Sequence, residues 1–464
     1  MEKEERKNAN KMGEMPVRRL ILSMGAPMML SMLGQALYNV VDTFFVSHMQ
    51  DTAMIADMGD KAINALTLAF PIQMLIMALN VGTGVGINAV ISRELGRGDR
   101  ERASKAAGNA MMVCFLYFVA IFIFGITGSR AFIASQTTDA DIIEMGTTYL
   151  SIVTTLSLGS VGFMCLEKVV MGTGNTIVSM ISQMAGAVTN IILDPILIYG
   201  LIGAPEMGVA GAAYATVIGQ WVSFIVIAIV HFGKGKHLDS GFKYMKPDRD
   251  ILREVFSIGI PAIVMQTLVP VMNYGMNLIL GSISVYAVTA YGVYSKLQNF
   301  VYMPVYGLNN SSIPVVSFNR GMGNMSRVRE AIKYAIIYAL IIMSLGFILM
   351  EFFTEPIVSI FAITGESSRL CLLALRIVAF GFLFGGANVI LLGVCQSLGK
   401  PVYSLFISSL RLVIIVLPLA YALSRTAAAG NIVWIAIPVA EAAACIVAVL
   451  LERKAYRELE TAGA

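Results

Sequence analysis

The first residue whose chemistry needs an explanation is Asp42, a carboxylate inside an apolar stretch. As a helix, residues 21–46 are long enough to cross a hydrocarbon core of about 30 Å, and Gln35, Asn39 and Asp42 are their only strongly polar members. A charged side chain at such a depth costs roughly 2.5–3.5 kcal/mol. Asp42 is therefore a candidate for facing a cavity or an ion; the alternative is a carboxylate that a neighbouring helix satisfies for packing alone.

A second carboxylate, Asp194, lies in another apolar run at about the same predicted depth. Asn190 precedes it by one helical turn on the same face, and Pro195 follows it and leaves one helix carbonyl without its usual donor. Thr216 and Tyr149 fall at a similar depth in two further runs. Two neighbouring carboxylates in a low-dielectric environment resist joint ionisation, so they share a proton or bind a cation between them. A purely structural polar cluster is the alternative.

These residues belong to a chain with the composition of a membrane protein. Of its 464 residues, 57% are hydrophobic and only 13% are charged, and the mean hydropathy is +0.75, whereas soluble domains are about 25% charged. The five cysteines lie in apolar runs without CxxC spacing, which predicts neither a disulfide framework nor a zinc site. The net charge of +4 is spread over several loops, which argues against nucleic-acid binding. Enzyme motifs such as HExxH, GxSxG and the P-loop are absent, so we expect no enzyme and no cofactor.

Apolar runs between charged or glycine- and proline-rich breaks predict twelve membrane-spanning helices. Six fill residues 20–232 and six fill residues 254–451, with a cytoplasmic N-terminal segment at 1–19, a cytoplasmic linker at 233–253 and a cytoplasmic tail at 452–464. An even number of spans puts both termini on one side. That side carries 26 of the 33 Lys and Arg residues, so the positive-inside rule predicts that both termini are cytoplasmic.

The two predicted halves also resemble each other. A shift of 225 residues aligns Gln73 with Gln298 and Ser179 with Ser404, and a shift of 234 aligns the prolines of the two first helices. Because each half has six spans, both halves enter the membrane from the same side as parallel repeats. Transporters are often built in this way, with the substrate path between the repeats.

Several motifs resemble those of the multidrug and toxic compound extrusion (MATE) transporters. In the first half they are YNVVDTFFVS at 38–47, GRGDRERA at 96–103, MGTGN at 171–175, TNIILDPILIYG at 189–200 and GVAGAAYATVIGQ at 208–220. In the second half they are PVYGLNNSSIPVVSFNRGMGN at 304–324 and QSLGKPVYSLFISSLRLVIIVLPLAYAL at 396–423. The resemblance covers nearly the whole chain and is closest to the DinF-like and MepA-like bacterial branch.

This resemblance implies a fold, a cycle and a coupling site. The fold is all-α, with two six-helix lobes that face each other across a central cavity and alternate between outward-open and inward-open states. The coupling site binds H⁺ or Na⁺ and no other metal, and it matches four residues, which are Asp42, Asn190, Asp194 and Thr216. We expect helix hinges at Pro27, which matches a proline of the family's first helix, and at Pro195.

Further residues are expected to line the substrate chamber. They are Gln35, Tyr38, Asn39, Tyr149, Lys296, Gln298 and Arg411. Arg411 lies in the middle of its span, so it faces the cavity or pairs with an acid such as Glu441, and with Lys296 it is expected to affect which charged substrates are accepted. The membrane acid of the seventh helix in some other branches is not evident, because Glu254 lies at the cytoplasmic end of that helix. We therefore do not expect a second cation site.

Together these observations predict a monomeric, H⁺- or Na⁺-coupled antiporter in the lipid bilayer of the bacterial plasma (inner) membrane. Its expected substrates are small amphipathic, often cationic drugs or metabolites, whose export contributes to antibiotic resistance. A lipid-linked saccharide flippase of the same superfamily is the main alternative, and a passive channel is another.

Overall fold

The computed structural model describes residues 11–49, 57–233, 238–239, 241–361, 363 and 365–462. These residues form helices and connecting turns, with no strand among them. In the first half, the helices of more than seven residues are α1 Val17–Ser47, α2 Met58–Gly96, α3 Arg100–Thr127, α4a Ala140–Thr155, α4b Leu158–Gly172, α5 Thr176–Tyr199 and α6 Gly208–Phe232. Those of the second half are α7 Arg249–Gly281, α8 Val285–Gly321, α9 Met325–Phe352, α10 Gly365–Ser397, α11a Pro401–Ser409, α11b Val416–Ser424 and α12 Ala436–Ala462.

The helices follow the predicted spans in order, and their number is close to the predicted twelve. Within the described residues, ten helical segments are long and apolar enough to cross a membrane, with α11a and α11b counted together, and the bent pair α4a–α4b makes an eleventh. Helix α8 has 37 residues, so it is long enough to be the twelfth, although it is also rich in polar residues. Large apolar side chains cover the outside of the bundle, as at Ile229, which is 66% exposed, and Ile446, which is 65% exposed. Such a surface suits lipid rather than water.

Several helices extend beyond the apolar runs that predicted them. Helix α1 begins at Val17 rather than at residue 20, and α12 continues to Ala462. Helix α7 begins at Arg249, five residues before the expected start of the second half, because the Asp248 carboxylate accepts the backbone N–H groups of Asp250 and Ile251 and caps the helix. Parts of the three predicted cytoplasmic segments, at 1–10, 234–237, 240 and 463–464, lie outside the described residues.

The two halves pack against each other in a symmetric way. Helix α1 packs on α8, and the equivalent helix of the second half, α7, packs on α2. These contacts bring backbones close together: a Cβ atom at Gly307 would lie 2.6 Å from the Met28 carbonyl oxygen, and one at Gly82 would lie 2.6 Å from the Ile263 nitrogen. Gly82 and Gly307 are equivalent positions of the repeat. The two halves are thus joined by two equivalent helix contacts, one between α1 and α8 and the other between α7 and α2.

The contacts between the halves lie toward the end of the bundle at which α1 begins and α12 ends. There the Glu254 carboxylate of α7 bonds the guanidinium groups of Arg93 at 2.5 Å and Arg102 at 3.0 Å. Asp42 lies fourteen residues beyond Met28 along α1, about 21 Å farther from this end at 1.5 Å per residue. The first candidate residue is therefore well removed from the contact between the halves.

Candidate cation site in the first half

The close approach of α5 and α6 positions the centre of the candidate site. A Cβ atom at Gly219 of α6 would lie 2.7 Å from the carbonyl oxygen of Gly186 in α5. Small residues allow two helix backbones to approach in this way inside a membrane. Because of this contact, the polar side chains that lie one turn after Gly186 on α5 pack against α6.

Asp194 is the most deeply buried of these side chains, with 0% of its surface exposed. Its Oδ1 atom accepts a hydrogen bond of 3.2 Å from the side-chain amide of Asn190, one turn earlier on α5. The same amide lies 3.5 Å from the hydroxyl oxygen of Thr216 on α6. Asn190, Asp194 and Thr216 therefore come together, in the positions that the helical spacing predicted.

Asp42 approaches this group from α1. Its carboxylate is close enough to Asp194 for their charges to interact, and the structure gives no hydrogen bond between the two among the residues it describes. Asp42 Oδ1, Asp194 Oδ2 and Asn190 Oδ1 are buried without a hydrogen-bond partner among the described residues. Three buried oxygen acceptors, contributed by two helices, form a set suited to a proton or a small hard cation, for which oxygen ligands are preferred.

Two tyrosines border the carboxylates. The phenol groups of Tyr38 on α1 and Tyr149 on α4a lie within electrostatic range of both Asp42 and Asp194. The Tyr149 hydroxyl accepts a hydrogen bond of 3.0 Å from the side chain of Gln73 on α2. Gln73 was not predicted as a site residue, although the repeat aligns it with Gln298, which was.

Gln35 belongs to a second polar group, nearer the start of α1 than the carboxylate of Asp42. Its Oε1 atom accepts a hydrogen bond of 2.9 Å from Gln183 on α5, and Gln183 in turn accepts one of 2.5 Å from the Ser31 hydroxyl. Gln183 was also not predicted, yet it precedes Asn190 by two helical turns. Asn39 has an exposed side chain, and no contact described here joins it to the carboxylates.

The predicted residues of the second half do not form one group. The side chain of Lys296 is exposed and that of Gln298 is half-buried, both on α8. Arg411 is only 6% exposed and lies in a π-helical turn, Leu410–Ile414, between α11a and α11b. Its guanidinium donates to Glu441 Oε1 with N–O distances of 3.0 and 2.5 Å. The sequence left two alternatives for Arg411, which were to face the cavity or to pair with an acid such as Glu441. The structure shows the pairing with Glu441.

Two further observations concern the predicted hinges and the predicted coupling ion. Pro27 and Pro195 both lie inside continuous helices, α1 and α5. The described residues contain no group of three or more His, Cys, Asp and Glu side chains arranged to hold a metal ion. A sodium ion at this site would therefore depend on the two carboxylates together with amide and hydroxyl oxygens.

Comparisons with known proteins agree on one family. The family model described as MatE matches residues 27–196 and 261–422. The multidrug export protein MepA of Staphylococcus aureus (strain MRSA252) is 25% identical over 437 residues, which cover 94% of this chain and 93% of that protein. MepA of Staphylococcus haemolyticus (strain JCSC1435) is 24% identical over 421 residues, which cover 91% of this chain and 90% of that protein.

Solved structures show the same fold. An outward-facing conformation of a multidrug resistance MATE family transporter of the MOP superfamily superimposes with a TM-score of 0.91 at 24% identity. The crystal structure of a MATE P26A mutant gives a TM-score of 0.90, also at 24% identity. Each superposition covers 98% of this chain and 99% of the other. The described helices therefore adopt the two-lobed fold of these structures.

Proposed function

Because the chain belongs to the MatE family, whose members are multi-pass membrane transporters and not enzymes, we propose that it exports small amphipathic, often cationic molecules in exchange for H⁺ or Na⁺. The observation that carries this proposal is the buried pair of carboxylates, Asp42 and Asp194, with their unpaired oxygens beside Asn190 and Thr216. The relatives and structures described above are multidrug exporters and MATE transporters, so the flippase alternative has no support from them.

The chemistry of the site supports the coupling role. Two anionic carboxylates that interact in a low-dielectric lobe repel each other and also pay a desolvation cost. A proton or a sodium ion removes part of both penalties. The ion therefore stabilises an arrangement in which α1 lies close to α5, and its release favours one in which these helices separate. Pro27 and Pro195 are the proposed hinges, because each removes one backbone hydrogen bond from its helix.

The contacts between the halves support alternating access. In this structure the halves meet at the end of the bundle where α1 begins and α12 ends, and there Glu254 bonds Arg93 and Arg102. The positive-inside rule favours a cytoplasmic location for that end. The structure then corresponds to a state closed toward the cytoplasm, in a monomer embedded in the bacterial plasma membrane, with the lobes at 20–232 and 254–451. The linker at 233–253 and the segments at 1–19 and 452–464 are proposed to be cytoplasmic.

Substrate would bind near the coupling site, so that the cargo and the ion compete for one space. Tyr38 and Tyr149 contribute aromatic surface beside the carboxylates, and Gln35 contributes a polar group deeper in the lobe. Asn39 and Gln298 are proposed polar contacts, and Lys296 is the proposed exposed cationic determinant of the second half. Arg411 is proposed to contribute to substrate selection through its ion pair with Glu441. A cationic substrate is attracted to Asp42 and Asp194 when the ion has left, which couples the two movements.

The experiment that tests this proposal is efflux from proteoliposomes with an imposed proton or sodium gradient. We expect Asp42→Asn and Asp194→Asn each to abolish gradient-driven transport, because an amide is uncharged and does not bind a proton. Asp99→Asn is the matched control. Asp99 caps α3, where its carboxylate accepts the N–H of Arg102, and Asn324, the equivalent residue of the repeat, caps α9 in the same way. Full gradient-driven transport by both site variants would refute the proposal.

A further inference from the structure

The ion pair Arg411–Glu441 lies at the place in the second half that corresponds to the cation site in the first. With the repeat shift of 225 residues, Arg411 corresponds to Gly186 and Glu441 corresponds to Thr216. Burial supports this register between α6 and α12, because both members of each of three further pairs are buried. These pairs are Ala215 with Ala440, Gly219 with Ala444, and Ser223 with Ala448.

The second half lacks the other parts of the first cation site. The positions equivalent to Asn190 and Asp194 are Ile415 and Leu419 at the same shift, and the position equivalent to Asp42 is Met276 at the shift of 234 for the first helices. These three residues have no oxygen in their side chains. The second lobe therefore has one carboxylate at this level, on α12, in place of the two carboxylates on α1 and α5.

Both oxygens of the Glu441 carboxylate accept hydrogen bonds from other side chains of the protein. Glu441 is 4% exposed, and its Oε1 atom accepts two bonds from Arg411 while its Oε2 atom accepts one of 2.6 Å from the Asn388 side chain. The Arg411 guanidinium also lies 5.9 Å from the ring centre of Tyr302. Buried ion pairs seldom add stability over apolar residues of similar size. A role other than stability would explain why two charges are placed here.

We infer that the Arg411 guanidinium is a tethered cation that occupies, in the second lobe, the place of the mobile coupling ion of the first. It permanently neutralises Glu441, so the second lobe neither binds nor releases an ion during transport. Only the lobe with Asp42 and Asp194 then responds to the ion, which gives the two similar halves different roles. This inference rests on the proposed coupling function. It also predicts that removal of the Arg411 charge creates a cation site at Glu441, which can be tested without a transport assay.

The test removes the tethered charge and looks for a new cation site. The background is Asp42→Asn/Asp194→Asn, in which the first lobe has lost its acids. Arg411→Ala is added, and thermal unfolding of the purified chain is followed in sodium, lithium, potassium and choline chloride at equal ionic strength, at acidic and at neutral pH. We expect the Tm of the Arg411→Ala variant to rise by at least about 2 °C with a small cation or with acid, because the ligand binds only the folded state. The parent background should show no such rise.

Two further variants distinguish charge from packing. Arg411→Lys keeps a tethered charge and should show no new cation dependence, whereas Arg411→Ala/Glu441→Gln removes both charges and should unfold at a higher Tm in choline than Arg411→Ala alone. The inference is overturned if Arg411→Ala has the same Tm in every salt and pH. It is equally overturned if Arg411→Ala fails to fold under all these conditions while the double substitution folds. Failure of the proposed function would instead appear as gradient-driven efflux by the Asp42→Asn/Asp194→Asn background.

Discussion

Asn190 links Asp194 to Thr216, since its amide nitrogen donates to the carboxylate at 3.2 Å and lies 3.5 Å from the hydroxyl oxygen. The amide therefore fixes the direction of one carboxylate oxygen and leaves Asp194 Oδ2 unpaired. A site that holds one oxygen and leaves the other available is suited to an exchangeable ion.

The first prediction concerns Asn190→Ala. The substitution leaves a buried carboxylate oxygen without its donor, which costs about 1–3 kcal/mol. We expect a lower Tm and a weakened ion-driven efflux. Thr189→Ala is the matched control on the same helix, because within the described part of the chain the Thr189 hydroxyl bonds only the Ala185 carbonyl of its own helix at 2.8 Å. Equal efflux by the two variants would show that Asn190 does not contribute to the site.

A second prediction concerns the driving force. One elementary charge moved across about 100 mV is worth roughly 2.3 kcal/mol, but exchange of one proton for one monovalent cation moves no net charge. Such exchange is driven only by the pH difference, at roughly 1.4 kcal/mol per unit. We therefore expect uptake of a monovalent cation into proton-loaded liposomes, which exchanges against outward-moving protons, to be unchanged when potassium and valinomycin set the membrane potential. A rate that rises with the potential would indicate that more than one ion is coupled.

A third prediction separates the two bases of the second half. Lys296 is exposed, so Lys296→Gln should leave the Tm unchanged while it increases the apparent affinity for cationic substrates by a few-fold, since one repulsive charge is lost. Arg411→Gln should lower the stability by roughly 3–5 kcal/mol, because it leaves the buried Glu441 without its counter-charge. Lys333→Gln, another exposed lysine, is the control. The measurements are competition binding and thermal unfolding, and a Lys296→Gln variant with an unchanged substrate range would contradict the assignment.

The sequence predicted the depth of the buried charges better than their partners. The apolar runs around Asp194 and Arg411 show how far each lies from a membrane surface, because a helix rises by a fixed distance per residue. The partner of Arg411 is thirty residues away on the next helix, and only the packing of α11b against α12 decides that Glu441 faces it. The sequence named Glu441 as one possible partner, and it missed Gln73 and Gln183, although their positions in the repeat and along the helical face were available signals.

The bend between α4a and α4b could not be read from the sequence either. The pair is bent by 45° without a proline at the break. A Cβ atom at Gly159, just after the break, would lie 2.8 Å from the indole of Trp221 on α6. The bend is thus associated with a contact between helices that are distant in sequence, whereas the apolar run through it reads as one straight span.

The last prediction concerns the contact between the halves. An alanine at Gly307 places its Cβ atom 2.6 Å from the Met28 carbonyl oxygen, whereas ordinary contacts of this kind begin at 3.4 Å. The carbonyl oxygen belongs to the backbone of α1, and the backbone of α8 fixes the position of the Cβ atom, so the added methyl group is accommodated only if α1 and α8 move apart. We therefore expect Gly307→Ala to lengthen the distance between spin labels at Arg97 and Met322, which are exposed on opposite halves beside the contact of Gly96 with Phe318.

Two related substitutions make this experiment specific. Gly82→Ala adds a methyl group at the equivalent contact of the repeat, 2.6 Å from the Ile263 nitrogen, and should produce the same change. Gly292→Ala is the control on α8, because nothing lies within 4 Å of a Cβ atom there. If the halves separate at this end to release or admit substrate, Gly307→Ala and Gly82→Ala should also increase the reactivity of cysteines placed along the contact toward thiol reagents. A label distance unchanged in both variants would mean that the contact does not limit the movement of the halves.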